Sequence, residues 1–343
     1  MIAPAKAPLC AYVPALDGLR ALAIGLVFLF HAGTPGLPGA NIGVDIFFVL
    51  SGYLIGRLLL AEYAASRQID LKRFYSRRLW RLTPPLLLLL GLYALLARIL
   101  WPDYFFHLRD GAEVLLYLVD IALILGDGPE YLTHAWSLSI EERFYLLLPL
   151  LLVGLLSQVS RRWLWLAPLL LALLVTLWRW YWALPTNYVD GLYYRFDVRI
   201  SGLTLGVAVA CLPSKLIPDC HRFRGRSLLL MGTLLLLIVV PDHGQAWRLA
   251  YGLPLVELIS ALAIIWVVQQ PNCLLASVLS TPGFAYIGKI SYGLYLFHYP
   301  VMQYLQSHFQ WAAVLLIATV ITLIMAMLSW HLIEAPLSRY KKR

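Results

Sequence analysis

Along this chain, long apolar runs alternate with short polar segments. Runs of 18 residues or more recur from near the beginning to near the end, and about 20 apolar residues suffice for a helix to cross a hydrocarbon core about 30 Å thick. Alternation of period two is absent from the runs, which argues against an outer-membrane barrel. The pattern therefore predicts an all-α, polytopic integral membrane protein. Crossings are expected at roughly 16–33, 43–62, 83–101, 137–157, 163–184, 196–213, 227–241, 249–270, 284–306 and 311–334. One further stretch, "EVLLYLVDIALILG", offers only about 13 residues before its glycine. Runs of about 10–14 residues read as re-entrant or interfacial half-helices rather than crossings.

Basic residues give each crossing its direction. The segment "EYAASRQIDLKRFYSRRLWRL" holds Arg67, Lys72, Arg73, Arg77, Arg78 and Arg81. "SQVSRRW" holds Arg161 and Arg162, "PSKLIPDCHRFRGRS" holds Lys215, Arg222, Arg224 and Arg226, and the chain closes on "SRYKKR". Lys and Arg gather on the cytoplasmic side of membrane proteins. Placing all four segments there, with the half-helix on the outer face, gives about ten crossings and cytoplasmic termini.

Composition agrees with the pattern. The 343 residues are 61% hydrophobic and 13% charged, where soluble domains carry about 25% charged residues. The net charge of +9 could suit a nucleic-acid binder, but its placement in loops between spans makes it topological, and no nucleic-acid partner is expected. Cys10, Cys211, Cys220 and Cys273 have neither paired nor metal-type spacing. No cleavable signal pattern precedes "DGLR", so the first span is expected to be retained. Without repeats, linkers or low-complexity tails, residues 1–343 read as one membrane-embedded domain.

Ionisable groups inside spans are costly in lipid and point to function. In "LDGLRALAIGLVFLFHAG", Arg20 and His31 are 11 residues apart, about three turns plus 20°, with Asp17 within about 60° of Arg20. One face of this helix must therefore turn into the bundle, with Arg20 toward the inner side and His31 about 16 Å further out. The next span, "NIGVDIFFVLSGYLIGR", puts Asp45, Gly52 and Gly56 on one face and returns Asp45 to the depth of His31. A carboxylate there can fix the imidazole's tautomer, or simply tie two helices together. "HAWSLSIEERFYLLLPL" sets Ser137 and Glu141 one turn apart near Glu142, Ser139 and His134. "YYRFDVRISG" adds Arg195, Asp197 and Arg199 at another outer entrance. Together these groups describe a polar cup open to the outside. Trp and Tyr in "LWRWYWALPTNYVDGLYY" suit a membrane belt, or a platform for a sugar ring. Glu257 and His298 cannot be told from helix-packing hydrogen-bond partners, and Glu334 at an inner helix end suits an ion pair with a loop arginine. On the inner side, Arg78 and Arg81 lie one turn apart among six basic residues. Headgroup binding explains some of that charge, and bidentate recognition of a cytoplasmic phosphorylated donor explains the rest.

The segments "LDGLRALAIGLVFLFHA", "GVDIFFVLSGYLI", "FYSRRLWRLTP", "HAWSLSIEERFYLLLPLL", "IGKISYGLYLFHYP" and "WHLIEAPL" resemble, in the same order, the acyltransferase-3 family of integral-membrane O-acyltransferases. The resemblance runs from Leu16 to Pro336. It implies a ten-span enzyme of the bacterial inner (plasma) membrane that moves an acyl group, usually acetyl, from cytoplasmic acyl-coenzyme A to a hydroxyl of a cell-surface carbohydrate. By this resemblance Arg20 and His31 fall on an essential pair, and Arg78 and Arg81 on a donor-engaging Arg-x-x-Arg motif. "FFVLSG" and "WSLSIE" fall on other signatures. Some members carry an extracellular hydrolase-like domain after the last span, whereas this sequence ends at Arg343.

The mechanism expected from residues and resemblance together begins with coenzyme A phosphates at Arg78 and Arg81 and the thioester arm passing Arg20. His31 serves either as general base or as a transient acyl carrier, oriented by Asp45 or Glu141. Ser137, Arg195 and Asp197 flank the acceptor, a carbohydrate or lipid-linked sugar. Acyl-coenzyme A is a co-substrate, membrane lipids are the other partners, and no cofactor or metal is required, because the thioester supplies the leaving group. A secondary transporter would also carry ionisable residues on bundle faces, but inverted repeats are not evident. A purely structural assembly partner is the third reading.

Overall fold

The computed structural model describes residues 12–100, 103–185, 190–213, 215–216, 232–233, 235–239 and 246–340. Among these, all regular structure is helical, the local solution that satisfies each backbone polar group inside an apolar segment. In chain order the helices are α1 (Pro14–His31), α2 (Gly43–Ser66), α3 (Leu71–Leu100), α4 (Tyr104–Leu115), α5 (Val119–Ile124), α6 (Trp136–Gln158), α7 (Leu166–Ala183), α8 (Asp190–Tyr193), α9 (Phe196–Arg199) and α10 (Ser201–Cys211). They continue as α11 (Leu253–Gln269), α12 (Leu274–Leu279), α13 (Pro282–Lys289), α14 (Ser291–Gln306), α15 (Trp311–Ser329) and α16 (Ala335–Tyr340). Short π-helical turns, Arg248–Gly252 and Trp330–Glu334, lead into α11 and out of α15.

Among the described residues six helical segments are long and apolar enough to cross a membrane: Pro14–His31, Ala40–Ser66, Leu71–Leu100, Leu166–Ala183, Arg248–Gln269 and Trp311–Leu337. Two further helices are disqualified by features that matter below. α6 has 23 residues but carries Glu141, Glu142 and Arg143, and α14 has only 16 residues. Most of the expected span 227–241 lies outside the described residues, as do Cys10, Cys220, Arg222, Arg224 and Arg226.

The structure corrects three boundaries. The basic segment before position 83 is not a loop: α3 starts at Leu71 and runs unbroken through Pro84 and Pro85. Prolines are tolerated in membrane helices where neighbours pack against the backbone; α14 reaches this turn of α3, its Tyr292 hydroxyl donating to the Leu82 carbonyl (2.9 Å). The span expected at 284–306 is two helices, α13 and α14, broken at the buried Ile290. The stretch "EVLLYLVDIALILG" is divided between the end of α4 and the six-residue α5, with Tyr117 at φ 56° between them. Neither piece is long enough to cross.

More than half of α1 and of α2 is buried, whereas α7 and α15 are mostly exposed and flank the bundle. α2 crosses α10 at backbone contact. A Cβ on Gly52 would sit 1.9 Å from the Leu203 carbonyl oxygen, and one on Gly206 would sit 2.1 Å from that of Val49. Small residues at such crossings let helices touch. The opposite surfaces are greasy: Leu316, Val320, Ile324 and Leu328 make one exposed stripe along α15, and Leu146, Leu147, Leu150 and Leu151 another on α6. Continuous apolar surface of this kind belongs in lipid.

Candidate active site

Arg20 and His31 lie on one face of α1 and meet the same neighbour. Arg20 Nε donates to Ser291 Oγ at the start of α14 (3.1 Å). Higher on that helix, His298 Nε2 lies 3.0 Å from His31 Nδ1. The break at Ile290 is what brings both contacts about, because it starts α14 beside Arg20 and lets His298 climb to the end of α1. Gln306, at the far end of α14, donates from Nε2 to the His31 carbonyl (2.6 Å) and closes the C-terminus of α1.

A third imidazole joins the pair. The His134 ring lies 5.3 Å from that of His298 and is stacked on Tyr299 at 5.0 Å. Its Nε2 faces the Leu296 carbonyl (3.2 Å). Its buried Nδ1 has no hydrogen-bond partner among the described residues. Although three histidines converge, no group of three or more His, Cys, Asp or Glu among the described residues is disposed to hold a metal ion. His134 and His298 are fully enclosed, whereas His31 keeps some exposed surface.

Tyr295 separates the imidazoles from a small cavity. Its hydroxyl donates to the His134 carbonyl (2.7 Å), so the Ser137 hydroxyl, 2.7 Å away, must donate to Tyr295 because a phenol has one proton. The cavity, about 60 Å³, is lined by Arg20, Ser51, Ser137, Glu141, Ser291, Tyr292 and Tyr295 with apolar residues of α2 and α6. Glu141 is hydrogen-bonded with Ser51. α1, α2, α6 and α14 thus each give the cavity polar groups, the charged α6 and the short α14 among them.

Toward the basic end, Arg78 is held tightly. Its NH2 and Nε meet Glu142 at 2.6 and 3.1 Å, and its guanidinium lies 3.2 Å over the Tyr145 ring. Arg81, one turn on, is exposed and makes no direct ion pair among the described residues. It lies in the field of Arg20, Arg78 and Glu334. Glu334 accepts from Ser329 Oγ (3.0 Å). Arg20, Arg78 and Arg81 therefore form one positive region, which meets the cavity at Arg20.

Three expected site residues are placed elsewhere. Asp45 is not the partner of His31: its Oδ1 accepts from Arg199 NH2 (2.8 Å), with both side chains almost wholly enclosed. Arg199 sits among the rings of Phe48, Trp136 and Tyr193. A buried guanidinium needs a carboxylate more than an imidazole does, and Arg199 claims it. Arg195 and Asp197 bind each other in a fork (2.6 and 3.0 Å), and Trp178 Nε1 also donates to Asp197 (2.7 Å). That pair does not line the cavity. Glu257 receives hydrogen bonds from Ser201 and Arg179 (2.6 and 3.3 Å) and does not line the cavity.

Residue reasoning missed the pairing of His298 with His31, and the parts played by Tyr295, Ser51 and Ser291. The signal was present in "ISYGLYLFHYP", a histidine inside a span, but its depth depends on the helix break at Ile290.

Comparison with known proteins gives this arrangement a family. The family profile described as an acyltransferase domain matches residues 13–332, so the chain belongs to the acyltransferase-3 family. Among its relatives is the O-acetyltransferase OatA of Staphylococcus aureus (strain NCTC 8325 / PS 47), 32% identical over 352 residues, covering 96% of this chain and 57% of that protein. A putative O-acetyltransferase of strain COL, SACOL0978, is 32% identical over 354 residues, covering 95% of this chain and 57% of its own length. The chain thus spans little more than half the length of these relatives. No solved structure matches it.

Proposed function

We propose that the chain is an O-acetyltransferase that moves an acetyl group from cytoplasmic acetyl-coenzyme A to a hydroxyl of a cell-surface carbohydrate or lipid-linked sugar. The observation that carries this reading is a partly exposed imidazole, His31, at one end of a polar tract whose other end is the Arg20, Arg78 and Arg81 region. Family membership and the O-acetyltransferase relatives support the group transferred. Phosphates of the donor dock at the basic end, with Arg81 the readier cation because Glu142 already engages Arg78. The thioester arm enters past Arg20. His31 takes the proton of the acceptor hydroxyl as its oxygen attacks the thioester carbonyl carbon. The C–S bond then breaks, and the departing thiolate recovers that proton from the imidazolium. Ser137 and Glu141 line the neighbouring cavity, across Tyr295 from the imidazoles, and orient the acceptor as it approaches His31. The sidedness that this chemistry needs is the ten-crossing arrangement with cytoplasmic termini, in the bacterial inner membrane.

The test uses membranes containing the full chain, radiolabelled acetyl-coenzyme A and the surface glycans of those membranes. His31→Ala is expected to abolish label transfer while the protein stays inserted. Turnover within a few fold of the parent rejects the reading.

A further inference from the structure

The proton positions on the two facing imidazoles can be assigned from what each nitrogen meets. His298 Nδ1 lies 2.7 Å from the Tyr295 carbonyl oxygen, which can only accept. Nδ1 of His298 therefore carries its proton, and a neutral ring leaves the lone pair on Nε2. That Nε2 is the atom 3.0 Å from His31 Nδ1, so the proton between the rings belongs to His31 Nδ1. The lone pair of His31 is then on Nε2, the ring nitrogen not engaged with His298. The alternative requires a doubly protonated His298, a cation with no exposed surface set against two other imidazoles, and no carboxylate bonds to it among the described residues. An uncompensated buried charge of that kind is strongly disfavoured. The surroundings hold both rings in place. Phe28 stacks on His298 at 5.1 Å and 22°, and Tyr299 meets His31 edge-on at 4.9 Å.

We propose that His298 is a positioning residue that fixes the tautomer of His31, so that Nε2 of His31 is the atom that receives the acceptor proton. The proposal rests on the function proposed above and adds the direction of proton flow within it. His298 stands where a carboxylate stands in many base-orienting pairs. A neutral acceptor suits this depth better, because it fixes the tautomer without placing a charge in an enclosed site.

The chemistry dictates which replacements succeed. His298→Gln can present an amide oxygen to His31 Nδ1–H, whereas His298→Phe keeps the bulk and offers no acceptor. With the membranes and label described above, the Phe variant is expected to lose about 10²–10⁴-fold in kcat, the upper end being the loss from a wrong tautomer in a hydrolase triad. Its KM for acetyl-coenzyme A should stay within about twofold, because the donor's phosphates dock away from this ring. The Gln variant should recover at least tenfold of that loss. A Phe variant within about threefold of parental kcat, or Gln and Phe variants equally impaired, overturns the proposal. His31→Ala in the same membranes separates the two claims. If it is inactive while His298→Phe is active, only the positioning role fails; if it is active, the proposed function itself fails. Folding defects are bypassed by solid-state NMR of the unaltered full chain with ¹⁵N-labelled histidine, His31→Ala providing the assignment. A protonated Nδ1 on His31 is expected, and a protonated Nε2 with bare Nδ1 refutes the assignment.

Discussion

Asp45 and Arg199 offer a direct contest between two roles for one carboxylate. Both side chains are about 98–99% enclosed and joined at 2.8 Å, so removing either leaves the other charged in a site walled by Phe48, Trp136 and Tyr193. Breaking a buried pair from one side costs about 3–5 kcal/mol, whereas replacing both partners by apolar residues is often neutral. The magnitude is consistent with Coulomb's law, which gives about 4 kcal/mol for unit charges near 4 Å at an effective dielectric of about 20. Asp45→Ala and Arg199→Leu should each lower Tm of the purified protein in detergent by on the order of 5–10 °C. The double variant should recover most of that loss, and acetyl transfer should follow the folded fraction in all three. The reasoning is refuted if Asp45→Ala keeps the parental Tm and yet loses turnover. That result would return Asp45 to the role of orienting His31.

Other substitutions probe the packing and the basic end. Gly206→Ala pushes a methyl group against the Val49 carbonyl, a 2.1 Å approach, and should sharply reduce the yield of folded protein. Gly91→Ala meets nothing within 4 Å and should be neutral or stabilising by about 0.5–1 kcal/mol, the usual helix preference for Ala. Equal yields of the two variants, measured by fluorescence-detected size-exclusion chromatography, would mean that α2 and α10 do not touch there. Arg81→Ala should raise KM for acetyl-coenzyme A about tenfold or more with little change in Tm, as removal of one charge-assisted phosphate contact implies. Arg78→Ala should lower Tm, because it strands Glu142 and uncovers Tyr145. If Arg81→Ala leaves KM unchanged, the phosphates dock elsewhere.

Six of the expected spans, at 16–33, 43–62, 83–101, 163–184, 249–270 and 311–334, were legible because lipid enforces a simple rule: an apolar run of sufficient length must be a helix. The common face of Arg20 and His31 was also legible, since helical geometry alone fixes it, and both do meet α14. What could not be read were choices among partners. Asp45 is at a depth that suits His31, but no property of α2 by itself says that Arg199 on another helix will claim it. The helical character of the basic segment before Leu82 was hidden by two consecutive prolines, which ordinarily end a helix. The pairing of Arg195 with Asp197, only two residues apart, was hidden by the assumption that charged groups at an outer entrance converge on the substrate.

The placement of polarity explains why these helices could be assembled at all. An ionisable group facing lipid gains nothing, but one facing another helix can be satisfied there. α6 and α14 are poorly suited to cross alone, one for its charges and one for its length, and they contact α2 and α1 respectively. Their polar groups are matched within the bundle by Arg78 with Glu142, Ser137 with Tyr295, and His31 with His298. α15 packs against α14 and turns its own apolar stripe away from it. On this ground α6 and α14 are expected to gain most from docking, because the groups that make them poor lone spans also line the cavity. A substitution that weakens this docking should act on folding and activity together, whereas one confined to the pair of imidazoles should separate them.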